Sequence, residues 1–108
     1  MKQASDLLAA LGRFSQPALL ILISLADGPK HGYAMTQDIE AVSGQRLGPG
    51  TLYGAITRLE ERGWIQPLPA DDRRRPYKLT GAGQRVLRAH LARLEAMTQV
   101  AQERLAGA

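Results

Sequence analysis

Apolar residues recur along this chain at helical spacings, and glycines and prolines break the pattern into a series of helices and a single hairpin. Leu7, Leu8 and Leu11 predict a short helix over Ser5–Gly12, with Gly12 as its stop. Ser15-Gln16-Pro17 then offers a hydroxyl N-cap and a first-turn proline whose missing N–H costs nothing there. Leu19, Leu20, Leu22, Ile23 and Leu25 fall on most faces of the helix that follows, which marks it as central; Asp27-Gly28-Pro29 ends it. The next helix, His31 to Val42, has Tyr33, Ala34, Ile39 and Val42 as its expected buried face and Asp38 and Glu40 on the solvent side. Ser43-Gly44 terminates it. After a short polar link, Gly48 serves as N-cap and Pro49 as first residue of a further helix. Its inward face is Leu52, Ile56 and Leu59, while Thr51, Gly54, Thr57, Arg58 and Glu61 point outward and Tyr53 sits at the boundary. Gly63 suits the left-handed position just past that helix, with Trp64 folding back on the last turn.

Ile65–Leu68 and Tyr77–Leu79 are short strands whose link carries Asp71-Asp72-Arg73-Arg74-Arg75 between Pro69 and Pro76. Thr80 caps a last helix running to about Leu105. Along it Leu87, Leu91, Leu94, Thr98, Ala101 and Leu105 are spaced 4, 3, 4, 3, 4, a heptad seam that Val86, Met97 and Val100 broaden. At about 1.5 Å per residue that helix spans roughly 40 Å, more than a small domain covers. The seam therefore predicts self-association rather than packing back on its own domain, with Leu7, Leu8, Leu11 and Phe14 joining the same cluster. The expected fold class is mainly α with a small β-hairpin. It comprises a winged helix-turn-helix domain with its N-terminal helix over 1–80 and a long C-terminal dimerisation helix over 81–108.

Composition narrows the function. A chain of 108 residues with 5% aromatics suits one small domain whose core is Leu, Ile, Ala and Val. The net charge of +4 favours a polyanionic partner, and the grouping of Arg73, Arg74, Arg75 and Lys78 strengthens that preference. Cysteine is absent, which excludes disulfides, thiolate ligands and thiol nucleophiles. The two histidines, His31 and His90, lie on different helices without clustered ligands, so neither a metal nor a cofactor is expected. Gly81-Ala82-Gly83 lacks the third glycine and the βαβ setting of a dinucleotide loop. No serine has a credible base, and an enzyme is not expected. Met1–Ala10 lacks the pattern of a secretory signal, and Ala18–Ala26 is too short to cross a bilayer. A cytoplasmic protein without a membrane partner is expected.

The stretch from Pro49 to Thr80 carries the chemistry, because a helix followed by a charged hairpin is how a winged helix-turn-helix meets double-stranded DNA. Thr51 and Tyr53 stand at the helix N-terminus, where recognition helices contact base edges and where free N–H groups attract phosphate. Arg73–Arg75 at the hairpin tip can reach phosphates or a minor groove; the bland reading is a solvated loop whose field Asp71 and Asp72 partly cancel. Lys30, His31 and Tyr33 open the preceding helix as phosphate contacts, with His31 as a local cap and Tyr33 as a core residue the alternatives. The residues expected on DNA are Lys30, His31, Tyr33, Gly50, Thr51, Tyr53, Gly54, Arg58, Arg73, Arg74 and Arg75. Those expected at the dimer contact are Leu7, Leu11, Leu87, Leu91, Leu94, Met97, Ala101 and Leu105.

In order and spacing, His31-Gly32-Tyr33, Pro49-Gly50-Thr51-Leu52-Tyr53, Arg58-Leu59-Glu60-x-x-Gly63 and Tyr77-x-Leu79-Thr80-x-x-Gly83 resemble the PadR family of bacterial transcriptional regulators, from Ser15 to Gly83. The resemblance implies a homodimeric winged-helix repressor of the short type. In it His31-Gly32-Tyr33 would begin the first helix of the DNA-binding pair, and Thr51 and Tyr53 would sit at the DNA end of the recognition helix. It also implies a small aromatic or lipophilic effector near the dimer interface. Trp64, Phe14 and Met97 are candidates to line that pocket, and core packing accounts for them equally well. Gly54 departs from the family, which often has proline there; glycine loosens the first turns by up to about 1 kcal/mol relative to alanine and lets the backbone approach DNA more closely. The alternative function is a winged-helix module whose basic loop meets an acidic protein.

Overall fold

From Ala18 to Leu25 only Ser24 is polar, and the helix built there has no solvent face. This helix, α1 (Ser15–Leu25), buries Ala18, Leu19, Leu20, Ile21, Leu22, Ser24 and Leu25. Around it pack α2 (Gly32–Ser43), α3 (Pro49–Glu61), the antiparallel pair β1 (Ile65–Pro67) and β2 (Tyr77–Leu79), and the first turns of α4 (Gly81–Ala106). The structure is a computed structural model and describes residues 8–108. Leu7, and with it the start of the expected N-terminal helix, lies outside the described residues. The element order is the mainly α winged fold with a long C-terminal helix that the apolar pattern predicts.

Local phases differ from expectation in places. Ser15 is not the N-cap of α1. A 3₁₀ turn over Gly12–Phe14 runs directly into the helix, and Ser15 already has helical dihedrals, φ −62° and ψ −44°. An N-cap needs extended backbone for its hydroxyl to reach the free amides. In α2 the buried face is Gly32, Met35, Thr36 and Ile39. Tyr33 and Val42, expected inside, are 61% and 62% exposed. Threonine enters the interior because its hydroxyl donates to the Gly32 carbonyl at 3.1 Å, so the Thr36 side chain brings in no unpaired donor. Leu11 and Leu87, expected at the dimer contact, are buried with Leu8 and Phe14 in the protomer's own core. A side chain enclosed by its own chain has no surface left for a second copy.

The end of α3 is a Schellman motif. Trp64 N–H donates to the Leu59 carbonyl and Gly63 N–H to the Glu60 carbonyl, both at 3.0 Å, with Gly63 at φ +72°. Trp64 is thereby buried, and its carbonyl accepts the Thr80 N–H at 3.1 Å. The Thr80 hydroxyl donates to the Gly63 carbonyl at 2.6 Å and accepts the Gly83 N–H at 3.0 Å, which caps α4. Between the strands Ile65 pairs with Leu79, Gln66 with Lys78 and Pro67 with Tyr77. Lys30 adds a rung on the other edge of β2, exchanging backbone hydrogen bonds with Tyr77 at 3.1 and 3.0 Å. That rung ties the start of α2 to the wing.

In α4 the buried residues are Gly83, Val86 and Leu87, and every residue from Leu91 onward is exposed. The helix leaves the body, which gives the molecule its extents of 56 × 33 × 23 Å. Trp64 and Phe14 are closed into the core, whereas Met97 stands on the projecting half of α4. The three therefore do not line a common effector pocket within one protomer. Among the described residues no helix is long and apolar enough to cross a membrane.

A Cβ at Gly83 would overlap the Trp64 carbonyl oxygen and lie 2.8 Å from Leu79 Cδ1. Because backbone blocks one side, Gly83→Ala should cost about 2–3 kcal/mol, read as a lower midpoint in urea unfolding. Gly50→Ala, at a position with open space around it, should leave the midpoint unchanged or raise it. Equal midpoints for the two variants would contradict this packing.

Candidate nucleic-acid interface

At the wing tip Asp71 and Arg74 exchange backbone hydrogen bonds at 2.7 and 2.8 Å. Between them Asp72 and Arg73 sit at φ +48° and +71°. Two left-handed central residues are the type I′ geometry that matches strand twist in a two-residue hairpin link, although arginine seldom adopts it. The turn presents Arg73 at the apex. Arg75 is anchored to the wing, its Nη1 donating to the Leu68 carbonyl at 3.1 Å. Arg74 leans across to α2, with Nη1 3.5 Å from His31 Nε2.

His31 is the N-cap of α2, its Nδ1 accepting the Ala34 N–H at 3.4 Å. The Tyr53 phenol of α3 lies directly over Gly32: a Cβ there would meet Tyr53 Oη at 2.5 Å and Cζ at 3.0 Å. Tyr33 is beside it, its hydroxyl accepting from Gln37 Nε2 at 3.2 Å. These side chains and the wing line one cleft of about 280 Å³, to which α2 contributes His31 and Tyr33, α3 contributes Tyr53, and the wing contributes Arg73, Arg74, Arg75 and Tyr77. Burial, reinforced by the Glu60 carboxylate and by Tyr53, pushes the Tyr77 phenol above its ordinary range, while Arg75 pulls the other way. The cleft thus joins the hydroxyls of Tyr33, Tyr53 and Tyr77 to the guanidinium groups of Arg73, Arg74 and Arg75. Guanidinium forks match phosphate oxygens in charge and geometry, so the arrangement suits an extended polyanion.

Other residues expected on DNA fall differently. Gly50 and Thr51 are exposed on the first turn of α3, where the N-cap Gly48 supplies no side-chain acceptor. The first amides of α3 are thus open to an anion. Lys30 turns away from this face. Its Nζ donates to the Ser24 carbonyl at the end of α1, 3.7 Å from Asp27 Oδ2, and its side chain is 16% exposed. A lysine held at a helix C-terminus is satisfied by carbonyls and dipole. Gly54, expected to bring backbone close to DNA, instead makes room for Phe14, whose Cε1 would lie 2.8 Å from an added Cβ. Arg58 is on the same side, its guanidinium 3.8 Å over the Phe14 ring and bonded to the Gly54 carbonyl at 2.9 Å. Sequence reasoning passed over Arg46. This residue lines a second cleft of about 340 Å³ that shares Gly32, Tyr33 and Tyr53 with the first. The available signal was a basic residue two positions before a Gly-Pro helix start.

Residues 21–89 match the model of the transcriptional regulator PadR-like family. The transcriptional regulator Rv3488 of Mycobacterium tuberculosis is 38% identical over 92 residues, covering 82% of this chain and 82% of that protein. An uncharacterized 37.1 kDa protein in transposon TN4556 of Streptomyces fradiae is 52% identical over 75 residues, which are 69% of this chain. The match spans only 22% of that larger protein. Among solved structures, a transcriptional regulator from Clostridium thermocellum superposes with a TM-score of 0.71 at 26% identity, covering 80% of this chain and 89% of that one. A PadR family transcription regulator from Clostridium difficile shares the fold with a TM-score of 0.73 at 24% identity, over 82% and 96% of the two chains.

The overlap at Gly32 is with the far end of a side chain, so Gly32→Ala should move the Tyr53 phenol rather than the backbone. Stability should fall by less than about 1 kcal/mol, while the Tyr53 ring resonances shift in NMR spectra. A large drop in stability with unmoved Tyr53 resonances would show that Gly32 serves packing instead.

Proposed function

The chain belongs to the PadR-like family of transcriptional regulators, and from that membership we propose that it is a homodimeric repressor reading a pseudo-palindromic operator. The family consists of DNA-binding transcription regulators, not enzymes. The observation that carries our reading is the meeting of the start of α2, the first turns of α3 and the wing tip in one arginine-rich cleft. With the Thr51–Tyr53 end of α3 in a major groove, Tyr53 and Thr51 face base edges. His31 and Tyr33 lie toward one phosphate ridge, and Arg73, Arg74 and Arg75 follow it outward.

The dimer reading is supported by the projecting half of α4. Leu91, Leu94, Met97, Val100 and Leu105 are 38–75% exposed, and each large apolar side chain left in water forgoes about 1.5–3 kcal/mol of burial. An open apolar groove runs along Met97, Val100 and Ala101. A second copy of the same helix is the natural cover for a seam of heptad spacing. We take 1–80 as the DNA-binding unit and 81–108 as the dimerisation helix, anchored in that unit through Val86 and Leu87. Two such units would place their recognition helices about one DNA turn, roughly 34 Å, apart.

Replacing Arg73, Arg74 and Arg75 together by alanine should weaken binding to every duplex and reduce the log–log salt slope by about 0.9 for each phosphate no longer neutralised. An unchanged slope in a salt titration would remove the wing from the interface. Thr51→Ala or Tyr53→Ala should instead reduce binding to the DNA flanking the protein's own coding region more than binding to random duplex. Wild-type protein with no preference between those two DNAs would favour an acidic protein as the partner. Leu94→Asp with Met97→Asp should convert the dimer to a folded protomer at micromolar concentration in sedimentation; an unmoved dimer would exclude this seam.

A further inference from the structure

A recognition helix seated in a major groove has a phosphate ridge on each side, because the groove is only about 12 Å wide. The wing serves one side. On the other, the cleft formed by Tyr33, Thr36, Arg46, Pro49 and Tyr53 has Arg46 as its one cationic lining residue among the described residues. Both clefts share the Tyr33–Tyr53 pair, so the wing arginines and Arg46 bracket the end of α3 that would meet bases. Arg46 Nη1 is bonded to Glu40 Oε2 at 2.8 Å, and the side chains are 67% and 47% exposed. One bond leaves most of the five guanidinium donors unused, and an ion pair this exposed is weak and screened by salt.

Building on the DNA-binding reading, we propose that Arg46 is a second phosphate contact opposite the wing and that Glu40 of the same chain competes with DNA for it. Without DNA the carboxylate occupies the guanidinium and withholds it from an approaching phosphate. With DNA bound, the phosphate takes over Arg46 and the carboxylate returns to solvent. Glu40 therefore sets how tightly the protein holds any duplex, independently of base sequence.

The two members of the pair must act in opposite directions, which separates competition from a simple staple of the α2–α3 link. With a random-sequence duplex in fluorescence anisotropy, Arg46→Ala should weaken binding about three- to ten-fold and lower the salt slope by about 0.9. Arg46→Lys, which keeps the charge, should recover most of that affinity. Glu40→Gln should tighten binding about three-fold, and this gain should disappear in the Arg46→Ala background. Weakening by both substitutions, or an Arg46→Ala protein with unaltered affinity and slope, overturns the proposal. If in that case the triple wing variant still binds more weakly than wild type, the DNA-binding reading stands without Arg46; wild-type protein that binds no duplex overturns both.

Discussion

Thr80 joins three parts of the molecule through its backbone N–H and its hydroxyl. Its N–H is bound to the Trp64 carbonyl, its hydroxyl donates to the Gly63 carbonyl, and the same oxygen accepts the Gly83 N–H in the first turn of α4. The end of α3, the base of the wing and the start of α4 are thereby held within one small network. The close approach of Gly83 to the Trp64 carbonyl excludes any side chain at that point. Without this junction the wing would lean mainly on a short two-stranded pairing, and such a hairpin is marginal by itself in water. The Lys30 rung on β2 completes the support from the other side.

Charge on this protein divides according to whether it is already engaged. Lys30 sits at the C-terminus of α1 and Arg58 lies over Phe14, so two basic residues near the recognition pair are already engaged within the fold. The absence of a side chain at Gly54 admits the Phe14 ring and the Arg58 guanidinium stacked on it. Arg73, Arg74 and Arg46 remain on the open face, held only by an exposed turn, a 3.5 Å approach to His31 and a screened ion pair.

Much of the architecture was legible in the sequence, because glycine, proline and apolar spacing mark chain reversals directly. Gly48-Pro49, Gly63 and Thr80 end or begin elements where their backbone preferences require. The rotation of α2 was not legible. Its interior includes a glycine and a threonine, and its two most apolar-looking outward residues, Tyr33 and Val42, are exposed; periodicity alone cannot weigh a hydroxyl that its own helix satisfies. The candidate site was legible as residue types on the right elements, but not as side-chain directions. Nothing in the pattern distinguishes Lys30, turned into a helix end, from Arg46, left facing a cleft. The single rung at Lys30 is too short to leave any alternation.

The unbroken course of α4 from Val86 to Leu105 has a mechanical consequence. No glycine or proline interrupts it between the buried turns and the exposed seam, so in the proposed pair each reading head is rigidly phased to the coil that joins them. One residue inserted near His90 would rotate that coil by about 100° relative to its head and lengthen the strut by about 1.5 Å. Half-site spacing in the target would then be dictated by a torsion angle far from any nucleotide, and drift in this linker's length would change which promoters the protein can span.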